Sequence, residues 1–154
     1  MLDTPHLVQT EPQMAAMIHI TVPSDQMQEV MCPAIMEVYE AVKAQGIGPT
    51  GALFAHHYGM KPGIFNFDVG VPVSTPVEPV GRVIAGELPG AVVMRTLYTG
   101  PYEGLGSAWE DFQELVKAEG RALGPNLWER YLKGPESGED PSAYVTELNQ
   151  TIIL

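Results

Sequence analysis

Apolar residues recur three and four positions apart along two stretches of this chain, and the two stretches align with each other. Met31, Ala34, Ile35 and Val38 carry the first pattern, and Leu105, Ala108, Trp109 and Phe112 carry the second. A constant shift of 74 residues relates them, and it also brings Val42 of VKAQG onto Val116 of VKAEG. Such spacing gathers apolar side chains on one face of a helix. After each helix comes a Gly-Pro pair (Gly48-Pro49, Gly124-Pro125) and then an aromatic strand, FAHHY or WERYL. The same shift pairs Phe54 with Trp128, Ala55 with Glu129 and His57 with Tyr131. Two copies of one unit must each cover an apolar face, and the simplest cover is the other copy. A cleft along the resulting pseudo-twofold axis is the natural place for a ligand.

The rest of the pattern fills in around these helices. Strands are expected over 7–10 and 13–22, broken at Pro12. Ser24-Asp25 caps the first helix, which runs to Gln45, with Pro33 inside it to kink it or split off its first turn. Strands over 52–58 and 64–73 follow, joined by GMKPG, and a Pro-rich connector over 72–81 marks the seam between the copies. Segments 82–87 and 91–98 flank Pro89-Gly90, a favourable turn pair, and read as a hairpin. The second helix opens at Gly100-Pro101 and reaches Glu119, with Leu115 and Val116 on its apolar face and Asp111, Glu114 and Lys117 opposite. Strands over 127–133 and 143–153 close the chain, separated by the acidic loop GPESGEDPS. Each half is therefore β-α-β-β, with an extra strand before the first. The expected fold is α+β, one antiparallel sheet with two long helices on one side, in one domain whose repeats cover about 1–75 and 76–154.

Charge narrows the partners. Eight Lys and Arg stand against 19 acids, a net charge of −11, which argues against binding a phosphate backbone. An acidic surface concentrates cations, and it also serves solubility. The lone Cys32 can form no internal disulfide and is expected as a small residue in the helix core, in a reducing, cytoplasmic setting. MLDTPHLVQT lacks the pattern of a signal peptide, and no apolar run approaches the roughly 18 residues of a membrane span.

Few constellations could carry chemistry. His56 and His57 are adjacent on a strand and point to opposite faces, so they cannot chelate together, while His6 and His19 lie elsewhere. No HExxH, GxSxG, P-loop or Rossmann spacing is present, so neither a metal nor a cofactor is expected. What stands out is WERYL, where Glu129 and Tyr131 share a face with Leu127 while Trp128 and Arg130 face the other way. If the halves pair about a twofold axis, Glu129 and Tyr131 converge with Ala55 and His57. The alternative is a solvated Glu129 beside a tyrosine on a wet strand face.

TGPYEGLGSAWEDFQELVKAEG, then GPNLWERYLKGP, then YVTELNQTI, resembles the GyrI-like small-molecule-binding domain, the effector-binding domain of AraC-type and MerR-type regulators. GIGPTGALFAHHYG and FDVGVPV resemble its degenerate first copy, so the likeness spans essentially the whole chain. The resemblance implies paired βαββ units with a ligand cleft and a buried Glu that meets hydrophobic cations among aromatic rings. Residue by residue, that Glu falls on Glu129, the strand Tyr on Tyr131, the Tyr of GPY on Tyr102 and the helix Trp on Trp109. His57, Tyr39 and Phe54 complete the expected ligand-binding set from the first copy. The chain begins directly with this domain, so a stand-alone member without a DNA-binding helix-turn-helix is expected. Three functions follow: a receptor for small hydrophobic, often cationic molecules; a hydrolase of strained electrophiles such as cyclopropane-type toxins, using Glu129 and Tyr131; or an inhibitory protein-binding module. The sequence leaves the oligomeric state open.

Overall fold

The computed structural model describes residues 2–58 and 63–153. Its elements in chain order are strands β1 (His6–Gln9) and β2 (Gln13–Pro23), helix α1 (Met27–Gln45), strands β3 (Phe54–His57), β4 (Ile64–Pro72), β5 (Ile84–Leu88) and β6 (Val92–Thr99), helix α2 (Leu105–Ala118), and strands β7 (Ala122–Lys133) and β8 (Val145–Ile153). This is an α+β fold with wholly antiparallel pairing. The expected GMKPG connection falls mostly on residues 59–62, outside the described residues.

The chain divides into two compact units, and the division does not follow the sequence seam near Pro76. One unit spans 11–90, and the other combines 2–10 with 91–153. In the first, the strands run in the order β3-β4-β2-β5, and α1 packs on β2 and β4. Its core is built from Ile18 and Ile20 of β2, Phe67, Val69 and Val71 of β4, and the helical stripe Ala34, Val38 and Val42, all buried. In the second, the order is β1-β6-β8-β7, with α2 against β6 and β7. Met94, Tyr98, Ala108, Trp109, Phe112, Val116, Leu127 and Leu148 form its apolar cluster.

Several expectations change here. The extra N-terminal strand pairs with β6, through His6 to Arg95 and onward to Gln9 with Val92. β5 pairs with β2, Gln13 to Leu88 through Met17 to Ile84. Pro89-Gly90 therefore links strands of different units instead of closing a hairpin, because each flanking strand has an open edge elsewhere to pair with. The first helix is preceded by a 3-10 turn over Ser24–Gln26, and its cap position is Gln26, with no side-chain cap bond. Pro33 lies within α1 without ending it. The second helix likewise begins with a 3-10 turn, Tyr102–Gly104, ahead of Leu105. Cys32 is exposed, because it lies two positions before buried Ala34 and so on the far side of α1 from the apolar stripe, and Leu115, at the border of its stripe, is 45% exposed.

Candidate functional site

In the second unit, β7 alternates as its sequence requires, sending Leu127, Glu129 and Tyr131 to one face and Trp128 and Arg130 to the other. The first face looks toward α2, because the indole Nε1–H of Trp109 donates to Glu129 Oε2 at 2.7 Å. The Tyr131 hydroxyl donates to the other carboxylate oxygen, Oε1, at 2.6 Å. Both donors are neutral. Glu129 is only 8% exposed, and among the described residues no Lys, Arg or His forms an ion pair with it. Burial pushes its carboxyl pKa upward, and the bonds from Tyr131 and Trp109 oppose that push without cancelling it. Burial, together with the adjacent Glu129 charge, lifts the Tyr131 phenol well above its ordinary range and keeps it a donor.

A second buried glutamate in the same unit shows what is missing. Glu147 on β8 is 6% exposed, opposite Arg130 in the strand register. Arg130 Nη1 reaches its two oxygens at 3.0 and 3.2 Å, Arg95 Nε lies 3.4 Å away, and Asn149 Nδ2 donates at 3.0 Å. Neutralisation of that kind is the usual condition for burying a carboxylate. Glu147 has it and Glu129 does not.

Further aromatic rings adjoin Tyr131, the partner of this uncompensated group. Tyr102, in the turn before α2, is 37% exposed and meets the Tyr131 ring edge-on, with centroids 5.9 Å apart. It also lies 5.2 Å from Tyr144, a ring the sequence reading missed. Only the start of the YVTEL strand could have signalled Tyr144. The turn is fixed beneath Tyr102 by Tyr98, whose hydroxyl donates to the Pro101 carbonyl at 2.9 Å. A Cβ on Gly104 would stand 2.2 Å from that same hydroxyl oxygen, so glycine is required there. An open groove of about 560 Å³ beside α2, lined by Leu2, Tyr98, Ser107, Asp111 and Leu115 among others, includes none of Trp109, Glu129 or Tyr131.

The first unit holds the other expected residues. His57 is 5% exposed on β3, stacked on Phe67 at 5.1 Å and edge-on to Phe65 at 5.6 Å. Burial first, then the neighbouring His56, lowers its pKa to about 4. Phe54 is fully buried and alternates to the face opposite His57. Tyr39 is half-buried on α1, with Lys43 Nζ 5.9 Å from its ring centroid.

Among the described residues, no helix is long and apolar enough to cross a membrane. No curated protein sequence matches the chain. Solved structures do, at low identity. The EcmrR C-terminal domain aligns with a TM-score of 0.84 at 18% identity, over 97% of both chains. Within the EcmrR–DNA complex the alignment covers 97% of this chain but 57% of EcmrR (TM-score 0.83, 19% identity). SAV2435 bound to tetraphenylphosphonium aligns with a TM-score of 0.66 at 13% identity, over 98% and 94% of the two chains. A hydrolase from Listeria innocua aligns with a TM-score of 0.65 at 12% identity, over 97% and 91%. These likenesses show the shared fold. The family model of the GyrI-like small molecule binding domain matches residues 3–149, and the chain belongs to that family.

Proposed function

We propose that this protein is a receptor for hydrophobic cations, with Glu129 as the charge that selects them. The observation that carries the reading is a buried carboxylate held by two neutral donors and no cation, beside a glutamate of equal burial that has two arginines. Holding such a charge without a counter-ion costs several kcal/mol, and a bound cation offsets that cost. The rings of Tyr102, Tyr131 and Tyr144 offer faces for a delocalised cation, worth about 0.5–2 kcal/mol each when desolvated. SAV2435, which shares the fold, has a solved structure bound to tetraphenylphosphonium, which makes that ion the probe of choice. Titration followed by Trp fluorescence should show saturable binding, since Trp109 touches the carboxylate. Glu129→Gln should weaken the cation by roughly 1–3 kcal/mol, about 5–150-fold, and leave a neutral aromatic of similar shape nearly unchanged. Equal losses for both would make Glu129 a structural residue.

A second reading rests on the same pair. A carboxylate made more basic by burial and held by a phenol is equipped as a general base. It would take the proton of a water attacking a strained or ester-bearing ligand and return it to the leaving group. Incubation with such ligands decides the matter: turnover that Glu129→Gln lowers about 10²–10⁴-fold supports hydrolysis, and unchanged ligands leave binding as the function.

A further inference from the structure

The groove of about 560 Å³ beside α2 lies wholly within the unit that combines 2–10 with 91–153, and the carboxylate site makes no use of it. One side is a single stripe of α2 and the turn before it: Gly104, Ser107, Ala108, Asp111 and Leu115, spaced three and four residues apart. That stripe is about 16 Å long, three helical turns. Leu2 lines the other side and pairs with Tyr98. Its neighbour Asp3 is pinned to β6 twice, its amide donating to the Leu97 carbonyl at 3.0 Å and its carbonyl accepting from the Thr96 hydroxyl at 2.7 Å. Leu7 sits opposite Met94 in the strand register, so it shares the sheet face that α2 covers. Leu7 and Leu115 are both roughly half exposed.

Shape and charge together select the occupant. Small molecules bury about 70–90% of their surface when bound, and a groove open along its length covers one side only. A helix brings its own cover and needs just such a track, with apolar anchors every three or four residues. Gly104, Ser107 and Ala108 keep the wall low enough for a backbone to approach. The groove's charge is negative. Asp111 forms no ion pair among the described residues, and Glu114 meets Lys117 at 3.7 Å with both side chains exposed, so neither acid is firmly neutralised. A second copy of the chain does not fit. It carries the same net charge of −11, and its helices hold one base each, Lys43 and Lys117.

We propose that this groove is a docking site for a basic amphipathic helix of a partner protein. The apolar face of that helix covers Leu2, Leu7 and Leu115, and its Lys or Arg residues meet Asp111 and Glu114. The surface is separate from Glu129, Trp109 and Tyr131, so the chain holds its ligand at one place and its partner at another.

The probe is a fluorescein-labelled peptide of about 18 residues, long enough to hold a helix, made of Leu and Lys with the leucines three and four apart. Its anisotropy should rise saturably with the full chain, and a peptide of the same residues in scrambled order should bind at least tenfold more weakly. Ser107→Trp, which fills the groove from an exposed position, should abolish binding. Leu115→Ser should weaken it about 3–10-fold, since only half of that side chain remains to be buried. Asp111→Lys should weaken it and flatten its salt dependence. Glu129→Gln should leave the peptide affinity nearly unchanged, so failure of the cation reading does not touch the groove. The methyl resonances of Leu2, Leu7 and Leu115 should shift during the titration while the Trp109 indole resonance stays in place. Equal binding of the scrambled peptide, indifference to Ser107→Trp, or a shift at Trp109 in place of the leucines would overturn the assignment. So would leucine shifts produced by dodecyltrimethylammonium below its micelle concentration but not by the peptide, which would give the groove to small amphiphiles.

Discussion

Replacing Glu129 by Gln should stabilise the ligand-free protein while weakening its hold on cations. The amide is nearly isosteric with the carboxylate, and its two ends can be placed without loss. The Trp109 indole only donates, so the amide oxygen must face Nε1; the NH₂ then faces Tyr131, whose hydroxyl can turn and accept. Contacts survive and charge goes. The carboxyl pKa is raised above 4.5 even with both hydrogen bonds pulling it down, so the ionised form is a net burden on the fold. Each unit of such a rise is worth about 1.4 kcal/mol. In a chain of this size, 1 kcal/mol moves Tm by about 2–4 °C. The sign with pH follows from linkage. An acid whose folded pKa is raised contributes stability that is fully present below its unfolded value, near 4.5, and is lost as pH rises through the folded pKa. The Tm advantage of Glu129→Gln should therefore be absent near pH 4 and grow to a plateau at neutral pH. Thermal unfolding followed by circular dichroism across pH 4–8 measures it. A lower Tm for the variant at neutral pH, or a difference that ignores pH, would refute the view that Glu129 is an uncompensated charge.

The affinity for tetraphenylphosphonium should itself depend on pH, rising about tenfold per unit below the folded pKa of Glu129 and levelling above it, because cation binding expels the proton. Calorimetry in buffers of different ionisation enthalpy would show the proton release. Phe112→Ala, at the centre of the second unit's apolar cluster, should cost about 3–5 kcal/mol and lower the denaturant midpoint without changing the slope. Gly70→Ala should destabilise by about 1–3 kcal/mol, since its Cβ would stand 2.3 Å from the Ala16 carbonyl oxygen and force the β2–β4 backbones apart. Gly106→Ala, where nothing lies within 4 Å, should instead gain about 0.5–1 kcal/mol from helix propensity. The opposite signs of the two glycine variants can be read in one set of melts.

What could be seen in the sequence was what depends on local period. Ala34 and Ala108, Val38 and Phe112, and Val42 and Val116 are buried in pairs as the 74-residue shift requires, because helical phase needs no knowledge of the partner. Edge pairing does need it. His6–Gln9 joins a strand more than 80 residues away, and Ile84–Leu88 returns to β2, so a good local turn at Pro89-Gly90 was outweighed by long-range edges. The same limit applied to the site. WERYL and VTEL each present a mid-strand glutamate, and composition gives no reason to treat them differently. The register does: Arg130 lies opposite Glu147, and strand parity then sends Glu129 to the other face, away from both arginines. One step of alternation thus separates a neutralised structural carboxylate from one left among tyrosines and a tryptophan. Supplying Glu129 with its own arginine would settle the fold more firmly and fill the place that a ligand cation would take. The missing counter-ion is what the proposed cation receptor would take from its ligand.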